Sequence, residues 1–74
     1  MVEIEVKIKT DKIQLDQFLK WANLVSSGGE AKALIQEEKV LVNGKIEQRR
    51  ARKIMKGDRV ELEGQNPVYK VNSE

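Results

Sequence analysis

The sequence of 74 residues contains no cysteine and no histidine. Without thiols there can be no disulfide, no thiolate metal site and no cysteine nucleophile. Without imidazole, the commonest zinc ligand and the commonest general base near neutral pH are missing. Cys-His and Ser-His-Asp catalysis, zinc fingers and c-type haem attachment are therefore excluded. Proline occurs once, and the aromatic residues are one Phe, one Trp and one Tyr. No run approaches the roughly 18 apolar residues of a membrane helix. The opening Met1 to Lys9 alternates in polarity and does not form the apolar core of a signal peptide. No membrane association and a cytoplasmic location are the expectations.

Apolar residues make up 39% of the chain and charged residues 35%. At this length that supports a single domain, residues 1–74, with one small core. The formal net charge of +2 hides a segregation of sign. Seven bases (Lys45, Arg49, Arg50, Arg52, Lys53, Lys56 and Arg59) stand between positions 45 and 59 against two acids, Glu47 and Asp58. The rest of the chain is net acidic. A segregated basic segment is the footprint expected for a polyanionic partner; a solvated loop would leave the same trace.

Periodicity divides the chain. Val2, Ile4, Val6 and Ile8 alternate with Glu3, Glu5 and Lys7, which predicts a half-buried strand with the apolar set inward. Leu15, Phe18, Leu19 and Ala22 recur at helical spacing, predicting a helix from Gln14 that stops at Asn23 or by Val25-Ser26. Asp16 suits its positive end, and Lys20, four residues on, is expected to pair with Asp16. Ser27-Gly28-Gly29-Glu30 has the spacing of a capping box, with the Ser27 hydroxyl on the Glu30 amide and the Glu30 carboxylate on the Ser27 amide. Ala31, Leu34 and Ile35 form the apolar stripe of that second helix, which is expected to end near Glu37 or Glu38.

Val40-Leu41-Val42, Asn43-Gly44 and Lys45-Ile46-Glu47 predict a type I′ hairpin pairing Val42 with Lys45 and Leu41 with Ile46. Gln48 to Lys53 reads as irregular or extended, with Ile54 the only core anchor nearby. Lys56-Gly57-Asp58 and Gly64-Gln65-Asn66-Pro67 read as turns between strands at Val60/Leu62 and Val68 to Val71. Two helices and several strands, segregated in sequence, give an α+β domain with the helix pair on one side of a mainly antiparallel sheet.

Leu15-Asp16-x-Phe18-Leu19, Ser27, Ala31, Leu34-Ile35, Val40-x-Val42-Asn43-Gly44 and Gly57-Asp58-x-Val60, in this order and spacing, resemble the S4-type RNA-binding domain. The resemblance covers about residues 13–63. Leu24-Val25-x-Ser27-Gly28-Gly29-x-Ala31-Lys32 with Arg49-Arg50-x-Arg52-Lys53 looks most like the stand-alone bacterial YaaA/YbcJ-like group. It implies a two-helix αL-type motif packed on a small sheet, with an added N-terminal strand. It also implies that the helices and the following hairpin make one face for structured RNA, either ribosomal or tRNA-like, and that the protein acts on ribosomal RNA or a ribosomal subunit in assembly or quality control. Gln14 and Gly28 stand where many family members carry a cation.

On that face the candidate residues are Arg49, Arg50, Arg52, Lys53, Lys32, Lys45, Lys20, Gly28, Gly29 and Asn43. The four cations between 49 and 53 carry most of the expectation: arginine forks match phosphate, and Glu47 and Asp58 cannot neutralise all of them. Lys32 flanks the apolar stripe of the second helix, about 100° from its centre. Gly28 and Gly29 begin that helix, where phosphate could approach, although a tight bend alone would explain them. Asn43 is expected mainly as a turn residue, with Lys45 beside it in reach of a phosphate. Trp21 is expected at the rim of the core. Recognition is therefore expected to rest on phosphates and RNA shape. No spacing pairs acids or bases for catalysis, so no catalytic residue, metal or cofactor is assigned, and a monomer is expected. The competing reading is a protein-binding adaptor that uses the basic segment and an edge strand.

Overall fold

The computed structural model describes residues 2–65 and 67–73. Its elements run β1 (Glu3–Ile8), β2 (Lys12–Gln14), α1 (Leu15–Trp21), α2 (Gly28–Gln36), β3 (Val40–Val42), β4 (Lys45–Ile46), β5 (Lys53–Met55), β6 (Arg59–Leu62) and β7 (Val68–Ser73). Five strands form one sheet in the order β1-β7-β6-β3-β4, and β2 and β5 form a second, two-stranded sheet. Every pairing is antiparallel except β1 with β7. The architecture is α+β with a mainly antiparallel sheet.

The core lies between the helix pair and the sheet. Leu15, Phe18 and Leu19 from α1, Ala31 and Ile35 from α2, and Val40, Val42, Val60 and Val71 from the strands are essentially fully buried. Period-two alternation aims Val40 and Val42 inward. It leaves Ile46, beside Leu41 on the other face, exposed. The predicted hairpin forms in its predicted register, Val42 with Lys45 and Leu41 with Ile46. Asn43 (φ 54°) and Gly44 (φ 82°) take the left-handed conformations that a type I′ turn requires.

Three expectations need correction. The inward set of β1 is only half realised: Ile8 is buried and Val6 packs on the core, but Val2 and Ile4 are 57% and 41% exposed. β1 is an edge strand, paired on one side only, with β7. A short strand the sequence did not announce, β2, follows β1, and the segment read as irregular or extended after Gln48 ends in its partner β5, with Ile13 opposite Ile54. Strands of three residues are too short for alternation to reveal them. In the second-helix cap the Ser27 hydroxyl accepts from the Glu30 amide at 3.2 Å as predicted, but the Glu30 carboxylate accepts from the Ser26 amide, at 2.7 Å, and not from Ser27.

The first helix stops where Asn23 turns left-handed (φ 64°), and the second where Glu38 does (φ 61°). Of the turn predicted at 64–67, Asn66 lies outside the described residues; Gly64 has φ 81°.

Candidate nucleic-acid interface

The basic segment is fixed to the fold through its backbone. α1 has no side-chain cap at Gln14. Its first amides donate instead to carbonyls of the basic loop: Leu15 to Arg52 at 2.8 Å and Asp16 to Arg50 at 3.2 Å. Amides that a helix start leaves unpaired thus hold residues 50–52 in place. Ile54, just beyond, is fully buried and anchors the same segment from below.

At the hairpin end of this loop, Glu47 organises the cations. Its side chain is only 9% exposed. It accepts from Arg49 Nε at 3.1 Å, from the Arg49 amide at 3.1 Å and from Arg52 Nη1 at 2.8 Å. The Arg49 hydrogen bonds, with the one from Arg52, hold its carboxyl down at about 2 although burial pushes the other way. Arg50 Nε stands 3.9 Å from Asp16 Oδ2. The expectation that Glu47 and Asp58 do not suffice for the four cations agrees with the contacts: Arg49 and Arg52 share Glu47, Arg50 takes an acid on α1 that sequence spacing had given to Lys20, and Lys53 is in ion-pair contact with no acid among the described residues. Arginine carries five N–H donors, so each guanidinium keeps donors for an outside acceptor. Arg49 is the most available, with its side chain 75% exposed. Lys45, Arg49 and Arg52 line one groove with Asn43 and Glu47. Asn43 itself is engaged in the fold, its amide donating to Asp58 at 3.1 Å and accepting from the Arg59 amide at 3.0 Å.

Lys53 belongs elsewhere. It pairs across β2–β5 with Gln14. Because Ile13 and Ile54 turn towards the core, Lys53, Gln14, Lys12 and Met55 face outward. Lys53, Gln14 and Lys12 meet α1 in a groove of about 410 Å³ lined also by Lys9, Gln17 and Trp21. Lys20 lines an adjoining groove that shares Ile13, Gln17 and Trp21. Trp21 is 48% exposed, more than a core-rim residue needs to be. Its indole N–H donates to the Lys7 carbonyl at 2.7 Å, and Lys9 Nζ lies 5.8 Å from the ring centre, within cation–π range.

The start of α2 lines neither of these grooves. Gly28 and Gly29 are exposed, neither has a positive φ, and a Cβ added to either would meet nothing closer than 3.9 Å. The bend between the helices therefore does not require glycine at these positions. Lys32 is exposed on the same helix. The ten candidates thus fall into three places: Asn43, Lys45, Arg49 and Arg52 at the hairpin, with Arg50 behind them against α1; Lys20 and Lys53 beside Trp21; Gly28, Gly29 and Lys32 on α2.

A sequence model of the S4 domain matches residues 6–72. The chain belongs to the S4 domain family. The chain is also 46% identical over 67 residues to a protein of Bacillus subtilis (strain 168) named "Probable ribosome maturation protein RlbA", an alignment covering 90% of this chain and 94% of that one. The family match reaches beyond residues 13–63 and takes in the second half of β1 and most of β7. Sequence reading passed over Lys9, Lys12 and Gln17 of the Trp21 groove and took Gln14 only as a missing cation. They lie outside the basic segment, and only the pairing of β2 with β5 brings them to Lys53. Among the described residues no helix is long and apolar enough to cross a membrane.

Proposed function

We propose that this S4 domain is a non-catalytic RNA-binding protein of the cytoplasm that acts on structured ribosomal RNA or a ribosomal subunit during maturation. Family membership and the name of the Bacillus subtilis relative support the ribosomal target. The observation that carries the reading is the Glu47 cluster. One buried carboxylate fixes two guanidinium groups side by side, and Lys45 joins them at the rim of the groove. Preorganised forks lose little freedom when they engage phosphate, and arginine suits that geometry better than lysine. Arg50, Lys53, Lys32 and Lys20 extend the positive field, and the open start of α2 at Gly28 and Gly29 allows backbone approach.

The test is sedimentation of tagged protein through a sucrose gradient of cell lysate at low and high salt. A Lys45→Glu/Arg49→Ala variant serves as the comparison because it leaves the Arg52–Glu47 bond in place. Wild type should travel with one ribosomal subunit at low salt and be released at high salt, and the variant should stay near the top. With roughly four phosphates neutralised, the log–log salt dependence should have a slope of about −3 to −4. Wild type that remains at the top under every condition would remove the ribosomal target.

The edge strand β1, with Val2 and Ile4 exposed, favours a second reading as a protein adaptor by strand addition. A partner retained after nuclease treatment would support it.

A further inference from the structure

We infer that the groove beside Trp21 is a subsite for one unpaired nucleotide of a single-stranded RNA segment, its base stacked on the Trp21 ring and its flanking phosphates held by Lys12, Lys53 and Lys20. The inference rests on the RNA-binding reading above and adds a second place on the molecule with a different chemistry.

The ring is presented, not buried. Phe18 and Leu19, its neighbours on α1, fill the core completely, while Trp21 remains about half exposed. Its one polar atom is already satisfied by the Lys7 carbonyl, which ties one edge of the ring to β1. Gln17, Lys20 and Trp21 stand at i, i+3 and i+4 on α1 and therefore share one face. The β2–β5 pair brings Lys12, Gln14 and Lys53 up to that face.

The charge around the ring is uncompensated. Neither adjoining groove is lined by Asp or Glu. Among the described residues none of Lys9, Lys12, Lys20 and Lys53 is within ion-pair distance of an acid. The acid that helical spacing offers to Lys20, Asp16, is turned to Arg50 and to the Gln17 amide. Three ammonium groups without an ion-pair partner (Lys12, Lys20 and Lys53) around a half-exposed ring, which only Lys9 approaches in cation–π range, ask for a ligand that carries both negative charge and a π surface. An inorganic anion would leave the ring idle. An apolar peptide would leave the lysines facing nothing. A nucleotide satisfies both, and the amides of Gln14 and Gln17 in the same groove supply donors and acceptors for a base edge. The groove volume of about 410 Å³ lies within the range of small-ligand clefts. A paired base has its faces covered by its neighbours, so the occupant must be unstacked.

Trp21 is the sole tryptophan, so its fluorescence reports on the groove directly. The full chain would be titrated with a single-stranded RNA hexamer, a blunt RNA duplex, inorganic phosphate and an oligoglutamate peptide of matched charge. Saturable quenching by the hexamer, with little from the other three, is expected. In anisotropy measurements with labelled hexamer, Trp21→Ala should weaken binding about tenfold or more while Trp21→Phe keeps most of it. Lys12→Ala and Lys53→Ala, both at exposed positions, should each lower the salt slope by about 0.7. Because Trp21→Ala could unsettle α1, the Phe and lysine variants carry the test if it does not fold. Equal quenching by oligoglutamate would overturn the assignment in favour of an acidic protein segment, and salt slopes unchanged in both lysine variants would also overturn it. Co-sedimentation of wild type with a ribosomal subunit without quenching by the hexamer would sink the groove alone. Quenching without co-sedimentation would uphold the groove and remove only the ribosomal target.

Discussion

The hairpin groove and the Trp21 groove are both basic, yet they hold their charge in opposite ways. At the hairpin, Arg49 and Arg52 are locked onto buried Glu47, and the cations are part of the fold. Beside Trp21 the cations are lysines with no acid in ion-pair contact among the described residues and none lining the groove, and the ring is tied to β1 by its N–H. The first arrangement offers a rigid fork and is coupled to stability. The second offers mobile charge around a fixed aromatic face and should be nearly independent of stability. Substitutions of the same kind in the two places should therefore separate folding from binding.

The largest expected effect breaks the comparison at its firmest point. Arg52→Glu sets a second carboxylate against Glu47, which is buried and would then face a like charge. Stability should fall by about 3 kcal/mol or more in chemical denaturation. Lys53→Glu, the next residue along but outward on β5, should change stability by no more than about 0.5 kcal/mol. Equal losses at the two positions would mean that the Glu47 cluster does not brace the fold.

Glu47 sharpens the contrast through pH. Its folded value of about 2 lies below the ordinary 4.5, so the cluster stabilises the fold fully above about pH 4.5 and loses that contribution as pH falls through about 2. The shift alone would give about 3 kcal/mol, and solvent around the mostly exposed Arg49 brings the expectation nearer to about 2 kcal/mol. Glu47→Gln should lose about that much at pH 7, and its stability should change less than that of wild type between pH 4.5 and 2. Parallel curves for the two proteins would remove Glu47 as the titrating group. No comparable acid lines the Trp21 groove, so charge changes there should leave the acid limb of the curve as it is.

The two grooves were unequally legible in the sequence. The hairpin was readable because Asn43-Gly44 is a local signal, and turn chemistry set its register before any tertiary contact was known. The helices were readable from the spacing of Leu15, Phe18 and Leu19 and from the Ser27–Glu30 cap. The Trp21 groove was not, because it depends on Ile13 meeting Ile54 across 41 positions of chain in strands of three residues. Nor was the partner of Asp16 readable: helical spacing offers Lys20, but the backbone bonds from α1 to the basic loop bring Arg50 instead. Local chemistry is written in neighbouring residues, whereas ion pairs between segments follow from how those segments dock.

The smallest expected effect concerns the start of α2, which belongs to neither groove and can decide whether two regions are enough. Gly28 and Gly29 occupy helical positions with room for a side chain. Alanine is the better helix former, and it also reduces the freedom of the unfolded chain. Gly29→Ala should therefore raise stability by about 0.5 kcal/mol in denaturant titration. A phosphate seated on these amides would need the bare backbone, and the same substitution would then weaken RNA binding. The Glu30 carboxylate already sits at this helix start, on the Ser26 amide, and its charge opposes an incoming phosphate. Gained stability with unchanged affinity would place the start of α2 off the interface and leave binding to the two grooves. Gained stability with lost affinity would make it a third contact, one in which glycine is kept at the expense of the fold.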